Sequence, residues 1–119
     1  MQALQLPPLA EGETYIGAIG DAKGEVYHVI LLPGDAEDLT FDQAKAWATE
    51  QGGDLPNRTE QAMLWANHRD QFKQDWYWSN ETHHSESGWA WFQVFSGGFQ
   101  DYYGKGAELR ARAVRRLPI

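Results

Sequence analysis

Apolar and polar residues alternate with a period of two in several short stretches, and recur at helical spacing in two others. Alternation predicts strands over residues 14–19 and 25–32. The glycines and polar residues at 20–24 favour a tight turn, so these strands are predicted to form a β-hairpin. His28 lies within the second strand, where both faces are largely apolar, and is predicted to be structural. An extended lead-in over residues 1–13 precedes the hairpin.

Two stretches at helical spacing each carry an N-terminal cap. Thr40 and Gln43 have the spacing of a capping box, in which each side chain satisfies a backbone N–H of the first turn. Pro56 holds the residue before it extended, and Asn57 with Glu60 caps the second helix. In the first helix, the helical period predicts a buried apolar stripe at Phe41, Ala44, Trp47 and Ala48. In the second helix, the same period marks one side at Ala62, Trp65, Ala66 and Arg69.

Aromatic residues dominate the second half of the chain, where four tryptophans lie between positions 76 and 91. Aromatic side chains favour pleated, half-buried surfaces, and strands are predicted over 77–80, 89–95 and 99–103. Trp78 and Trp91 are assigned structural roles, and a minority of the rings is expected to face outward. The last segment, 108–117, is ambiguous, because its propensity favours a helix and its alternation favours a strand.

Length and composition limit the range of functions. The 119 residues are expected to form one domain, 1–119. The absence of cysteine excludes disulfides, thiolate metal sites and thiol nucleophiles. The net charge of −7 is uneven, with −8 in residues 1–60 and +1 in residues 61–119, which disfavours nucleic acid as a partner. The arginines at 110, 112, 115 and 116 are interpreted as a solvated strand face.

The start of the chain lacks the basic and apolar regions of a signal peptide, and no segment approaches the length of a membrane helix. The sequence therefore predicts no membrane insertion. It places the protein in the cytoplasm of the producing cell or in a virion assembled there.

Motifs of catalysis and metal binding are missing from the sequence. No glycine-rich phosphate loop and no nucleophile elbow occurs. The histidines at 83 and 84 are expected to point in different directions from a polar loop over 81–88, so a solvated loop is favoured over a metal site. The acidic cluster at Asp35, Glu37 and Asp38 is interpreted as a solvated turn. No enzyme activity, metal or cofactor is predicted.

Two blocks of residues nevertheless carry a family resemblance. The first runs from Ala44 to Glu60 and includes Gly52-Gly53 and Leu55-Pro56; the second comprises Trp78-Ser79-Asn80-Glu81, Trp89-Ala90-Trp91-Phe92 and Val114-Arg115-Arg116. Together they resemble the Lcl C-terminal domain family, a domain of unknown function, over residues 38–117. The chain departs from the family pattern at Asp54, Asn57 and Asn80, where the family usually has arginine, threonine and serine.

The resemblance implies an α+β, C-type-lectin-like fold of the type found in formylglycine-generating enzymes and phage receptor-binding proteins. That fold has an N-terminal hairpin, two helices and an aromatic-rich antiparallel sheet. It implies that the last segment is a strand that pairs back to the hairpin. The resemblance implies neither the cysteine-dependent catalysis nor the calcium-dependent sugar binding of its better-known members. Relatives on collagen-like stalks are trimeric, and the oligomeric state of this chain stays open, a trimer included.

These observations favour a non-catalytic recognition module, phage- or prophage-encoded, that binds a cell-surface glycan or protein through its loops. The predicted ligand-binding residues are His83, His84 and Glu86 in one loop, and Gln100, Tyr102, Tyr103 and Lys105 near another. The alternative is a small acidic interaction or inhibitor protein inside the host cell, which would bind a basic surface of a host protein in a salt-dependent way.

Overall fold

The computed structural model describes residues 4–119. Residues 4–13 form no helix or strand, and the first three residues of the predicted lead-in lie outside the described part. The lead-in is held by Arg115, whose guanidinium forms a bidentate pair with the Glu13 carboxylate, with both N–O distances 2.8 Å. The Glu13 carboxylate also accepts the Ala10 N–H, so this ion pair fixes the chain just before the first strand.

Over residues 4–119 the structure is α+β, with two helices and eight strands. In chain order the elements are β1 (Thr14–Gly20), β2 (Val26–Leu31), β3 (Ala36–Leu39), α1 (Phe41–Glu50), α2 (Arg58–His68), a 3-10 turn (Arg69–Gln71), β4 (Trp76–Thr82), β5 (Trp89–Val94), β6 (Gln100–Gly104), β7 (Leu109–Ala111) and β8 (Val114–Pro118). Both predicted capping boxes are confirmed, at Thr40 with Gln43 and at Asn57 with Glu60. The predicted N-terminal hairpin is also confirmed.

The strands form two sheets. The smaller has the order β1-β2-β8, in which β8 runs antiparallel to β2 with His28 opposite Leu117. The predicted return of the last segment to the hairpin is therefore confirmed. The larger sheet has the order β3-β7-β4-β5-β6 and is mixed rather than antiparallel, because β4 and β7 run parallel. The segment predicted as one element over 108–117 forms two strands, one in each sheet.

Two hydrophobic clusters cover opposite faces of the larger sheet. On one face α1 packs through Phe41 against Trp78 and Phe92, and all three are almost fully buried. On the other face α2 and the smaller sheet pack against Tyr77 and Phe95. The alternation of strand residues explains this division, because successive side chains of β4 and β5 point to opposite faces. Trp78 is fully buried, and its indole N–H donates to the Leu39 carbonyl at 2.9 Å.

Strand β6 forms one edge of the larger sheet. The Val94 N–H donates to the Phe99 carbonyl at 2.8 Å, and the antiparallel pattern then directs the Tyr102 N–H away from β5. On that outer side the Asp101 carboxylate accepts the Tyr102 N–H at 2.8 Å. The neighbouring side chain thus occupies a backbone donor that the sheet leaves unpaired.

The acidic residues before the first helix are exposed, as the sequence predicts, but they do not form a simple turn. Glu37 and Asp38 belong to β3, which pairs with β7, and Asp35 directly precedes that strand. The guanidinium of Arg110 lies within 3.1 Å of carboxylate oxygens of Asp35, Glu37 and Asp75. Asp35 and Glu37 lie more than 70 positions from Arg110 and Asp75 lies 35 positions from it, so no local pattern indicates these ion pairs.

The four C-terminal arginines are not the solvated face that the sequence predicts. Arg112 is buried, and its terminal nitrogens donate to the carbonyls of Gln71 and Leu32 at 2.7 and 3.0 Å. Burial lowers the pKa of the Arg112 guanidinium. Each of the other three arginines pairs with at least one carboxylate. The basic cluster is therefore used within the protein to join distant segments.

The predicted side of α2 is wrong. Glu60, Gln61 and Leu64 are buried, whereas Ala62 and Ala66 are exposed. Gln61 faces the sheet and donates to the carbonyls of Tyr77 and Trp78 at 3.0 and 3.1 Å. The helix therefore places polar side chains against the sheet, where backbone carbonyls accept the Gln61 amide N–H groups and Arg116 pairs with Glu60. An apolar period does not detect this pattern.

Candidate functional site

Helix α2 covers only part of the sheet face that it packs against. Its first residue, Arg58, lies over Trp91, and beyond that point the face is open. Trp89 is 42% exposed and Tyr102 is 37% exposed there. Strand pairing sets Trp91 directly opposite Tyr102, with ring centroids 4.9 Å apart. We call this surface the aromatic face; its members are Arg58, His83, Trp89, Trp91 and Tyr102.

A loop completes the aromatic face. The His83 ring packs against Tyr102, with centroids 4.3 Å apart, and the His84 ring stacks on His83 at 4.2 Å. The expectation that the two histidines diverge is therefore wrong. The Nδ1 atom of His83 accepts the backbone N–H groups of Ser85 and Glu86, each at 3.2 Å. These bonds hold the loop so that its imidazoles join the exposed aromatic rings.

Arg58 is fixed from several directions. Its guanidinium carbon lies 3.6 Å from the centre of the Trp91 ring, the geometry of a cation–π contact. Its Nε atom donates to the side-chain oxygen of Gln100 at 2.9 Å, and Gln100 in turn donates to the Arg58 carbonyl at 2.7 Å. The Glu81 carboxylate accepts the Arg58 N–H at 2.7 Å. The cation is thus positioned before any ligand binds.

A cleft of about 500 Å³ adjoins the aromatic face, within the usual range of roughly 300–1,000 Å³ for ligand sites. Its polar walls come from Arg58, Thr59, Glu81, Gln93 and Gln100. Ala62 and Gly98 also line it. The cleft thus combines a guanidinium, a carboxylate and amides beside exposed aromatic rings.

A second cleft, of about 540 Å³, lies between the start of β2 and the end of β8. Two of its polar side chains already have partners within the protein: Tyr27 donates to Glu60 at 3.1 Å, and Arg116 pairs with Glu60 and Asp54. Burial raises the pKa of the Tyr27 hydroxyl. We therefore place the candidate site at the aromatic face, where polar groups are less fully engaged.

The structure brings together four of the predicted ligand-binding residues, with a fifth beside them. His83, His84 and Tyr102 form part of one aromatic cluster, and Gln100 lies two residues before Tyr102 on the same face of β6. Glu86 is exposed in the loop that His83 organises.

Tyr103 and Lys105 lie elsewhere. Tyr103 pairs with Ala90, whose side chain is in the core under α1, so Tyr103 is on the opposite face of the sheet from Tyr102. It is 56% exposed there. The Lys105 amine lies 5.2 Å from the centre of the Phe41 ring, and the Lys105 carbonyl accepts the N–H that begins α1. Tyr102 and Tyr103, which the sequence analysis grouped together, therefore lie on opposite faces of the sheet.

Sequence reasoning missed Arg58, Glu81 and Trp89, and assigned Trp91 a purely structural role. Trp91 is only partly buried, because strand alternation turns it away from the α1 core and the first turn of α2 covers one side of it. A local signal existed for Arg58, since Asn57 marks the helix start and exposes the next side chain. The contact with Trp91, 33 residues later, has no local signal.

Within residues 4–119 no group of three or more histidine, aspartate or glutamate side chains is placed to hold a metal ion. Neither helix in that range is long and apolar enough to cross a membrane.

A scan against protein-family models gave no match to this chain, and a search of curated proteins found none that matches it.

Proposed function

We propose that this protein is a non-catalytic recognition module that binds a cell-surface glycan or protein through the aromatic face. The observation that carries the proposal is the packing of Tyr102 against His83, Trp89 and Trp91, with much of the Trp89 and Tyr102 rings left open to solvent. Exposed apolar groups that are contiguous and bordered by polar residues are typical of interaction sites.

Neighbouring groups hold the side chains of the aromatic face, which favours recognition by preformed complementarity. Trp91 and Tyr102 come from paired strands of the five-stranded sheet, and Arg58 from the capped start of α2. Tyrosine and tryptophan offer large contact areas with few rotatable bonds, so little conformational entropy is lost on binding. A ligand would therefore meet a surface whose side chains already contact one another.

We propose further that the scaffold is C-type-lectin-like and that the chain is phage- or prophage-encoded. The α+β architecture, the N-terminal hairpin and the return of β8 to β2 support the first statement. The resemblance to the Lcl C-terminal domain family supports both. Display of ligand-contacting residues on a rigid sheet agrees with such a role.

The test is retention of the tagged protein on intact cells from a panel of bacterial strains, compared with capture from soluble lysate. A surface-recognition module is retained on intact cells of some strains, and retention persists at moderate salt because stacking on aromatic rings is weakly screened. A protein that is retained on no intact cells, and captures one lysate protein in a way that salt abolishes, instead supports the intracellular alternative. That result would refute the proposed function.

A further inference from the structure

Arg58 and Glu81 line one cleft, yet they are not paired with each other. No ion pair within 4.0 Å joins them, and among residues 4–119 no carboxylate pairs with the Arg58 side chain. Most other arginines are engaged by carboxylates, as Arg110, Arg115 and Arg116 show. Among residues 4–119, Arg69 and Arg112 likewise lie over aromatic rings with no carboxylate partner, but neither of them lines this cleft.

Within the described residues, each of the two side chains uses only some of its polar atoms in hydrogen bonds. The Nε atom of Arg58 donates to Gln100, and its two terminal nitrogens have no hydrogen-bond partner within the described residues. One oxygen of Glu81 accepts the Arg58 N–H, and its other oxygen has no partner within that same part of the chain. The cleft therefore presents guanidinium donors and a carboxylate oxygen that have no partner among the described residues.

The combination favours a hydroxylated ligand over an anion. A hydroxyl accepts a hydrogen bond from a guanidinium while donating one to a carboxylate, so it satisfies both kinds of group. An anion would pair with Arg58 but would meet the Glu81 carboxylate in the same cleft. Glu86, exposed on the loop that His83 organises, adds a further negative charge to that loop.

The aromatic face offers an apolar surface beside the polar groups of the cleft. The cleft shares Arg58 with it, and Gln100 stands on the same side of β6 as Tyr102. The C–H face of a sugar ring is apolar, and its rim carries hydroxyls, so such a ring matches an aromatic surface bordered by polar groups.

We propose that the ligand is an uncharged saccharide, with hydroxyls of one ring bound between Arg58 and Glu81 in the cleft and an adjoining ring packed on Trp89 and Tyr102. This inference rests on the proposed function and narrows it from glycan or protein to neutral glycan. It assigns Arg58 and Glu81 as the residues that distinguish neutral from acidic sugars.

The experiment is saturation-transfer NMR of the full chain with separate sugars. The neutral probes are D-glucose, D-galactose, D-mannose, L-rhamnose and N-acetyl-D-glucosamine, and the charged comparators are D-glucuronate and heparin. We expect transfer to at least one neutral sugar, unchanged between low and high salt, and weaker transfer to its charged comparators. Binding of only the charged probes, weakening as salt rises, would overturn the inference, and so would the absence of transfer to every neutral probe.

Two substitutions test the residues directly. Glu81→Gln keeps a carbonyl oxygen for the Arg58 N–H but replaces the free oxygen with a donor, and Arg58→Gln removes the guanidinium. Each is expected to weaken binding of the neutral sugar by roughly tenfold, the usual size of one lost hydrogen bond to a charged group. Unchanged affinity in both variants would overturn the assignment.

Arg69→Gln is the matched control. Arg69 also stacks on a tryptophan, with its guanidinium carbon 4.6 Å from the Trp65 ring centre, but it does not line the cleft. Its substitution should leave sugar binding unchanged. Thermal melting of all three variants separates loss of binding from loss of folding. If the protein is retained on intact cells but binds no neutral sugar, the proposed function stands and this inference fails.

Discussion

Arg116 and Glu60 form a bidentate ion pair that joins the last strand to the second helix. Their two N–O distances are 2.6 and 2.7 Å, and the Glu60 side chain is fully buried. The hydrogen bonds to Glu60 raise the pKa of the Arg116 guanidinium. Because Glu60 also caps α2, one carboxylate fixes both the helix start and the position of β8.

Removing this carboxylate should destabilise the protein strongly. Glu60→Ala is expected to lower the free energy of unfolding by about 3 kcal/mol, the lower end of the range for a broken buried pair, because Arg116 keeps Asp54 and some access to water. Urea denaturation measures the change. The control is Glu50→Ala, at the exposed end of α1, which should shift stability by less than about 0.5 kcal/mol. Equal losses in the two variants would contradict the role assigned to the pair.

The pair between Glu13 and Arg115 should make stability depend on pH in the acid range. Arg115 lowers the pKa of Glu13 from 4.5 to about 2. Since the folded-state pKa is depressed, the contribution is complete above the unfolded value of 4.5 and disappears as pH falls from there toward 2. We expect the stability difference between the wild type and Glu13→Gln to be constant above that window and to shrink within it. Unfolding curves collected across this pH range provide the check, and a difference that is independent of pH would refute it.

Substitution by alanine should change the stability of the protein differently at two glycines. A Cβ at Gly53 would collide with the Val114 carbonyl and lie 2.8 Å from a methyl of Leu32, where the chain bridges to β8. Gly53→Ala should therefore cost about 1–3 kcal/mol. A Cβ at Gly88 meets nothing within 4 Å, and Gly88→Ala should be neutral or slightly stabilising. Thermal melting of both variants tests this contrast; similar melting points would show that the contact at Gly53 is easily relieved.

The neighbouring tyrosines of β6 should separate binding from stability. Tyr102→Ala removes the ring that contacts His83, Trp89 and Trp91, and should abolish retention on intact cells with little change in melting temperature. Tyr103→Ala removes an equally large ring from the opposite face and should leave retention intact. Retention is measured in the intact-cell assay described above. If Tyr103→Ala abolishes retention and Tyr102→Ala does not, the binding surface lies on the other face of the sheet.

Local signals in the sequence predicted much of the fold. Both capping boxes lie within four residues, and the alternation of β5 correctly separated Trp89 and Trp91 from Ala90 and Phe92. The predictions that were wrong concern residues whose contacts are distant in the sequence. Strand β3 is acidic and exists because Arg110 and β7 meet it, and the buried side of α2 is polar because Gln61 and Glu60 find partners in the sheet and in β8.

For the candidate site too, local sequence features indicated some residues, and residues that depend on distant contacts were missed. Gln100, Tyr102 and the two histidines were identified from residue type and predicted position. Arg58 and Glu81 were missed because their roles depend on the meeting of α2, β4 and β5. Tyr103 was grouped with Tyr102 by adjacency, although adjacent strand residues face opposite ways.

The bond from the Tyr102 N–H to the Asp101 carboxylate has a consequence for solubility. A strand at the edge of a sheet has unpaired backbone groups that can pair with a strand of another protein molecule, and exposed aromatic side chains would strengthen that association. Here a carboxylate occupies one of those outward backbone donors and places a negative charge on the same edge. The protein can therefore expose Tyr102 and Trp89 at its margin while discouraging the strand addition that leads to aggregation.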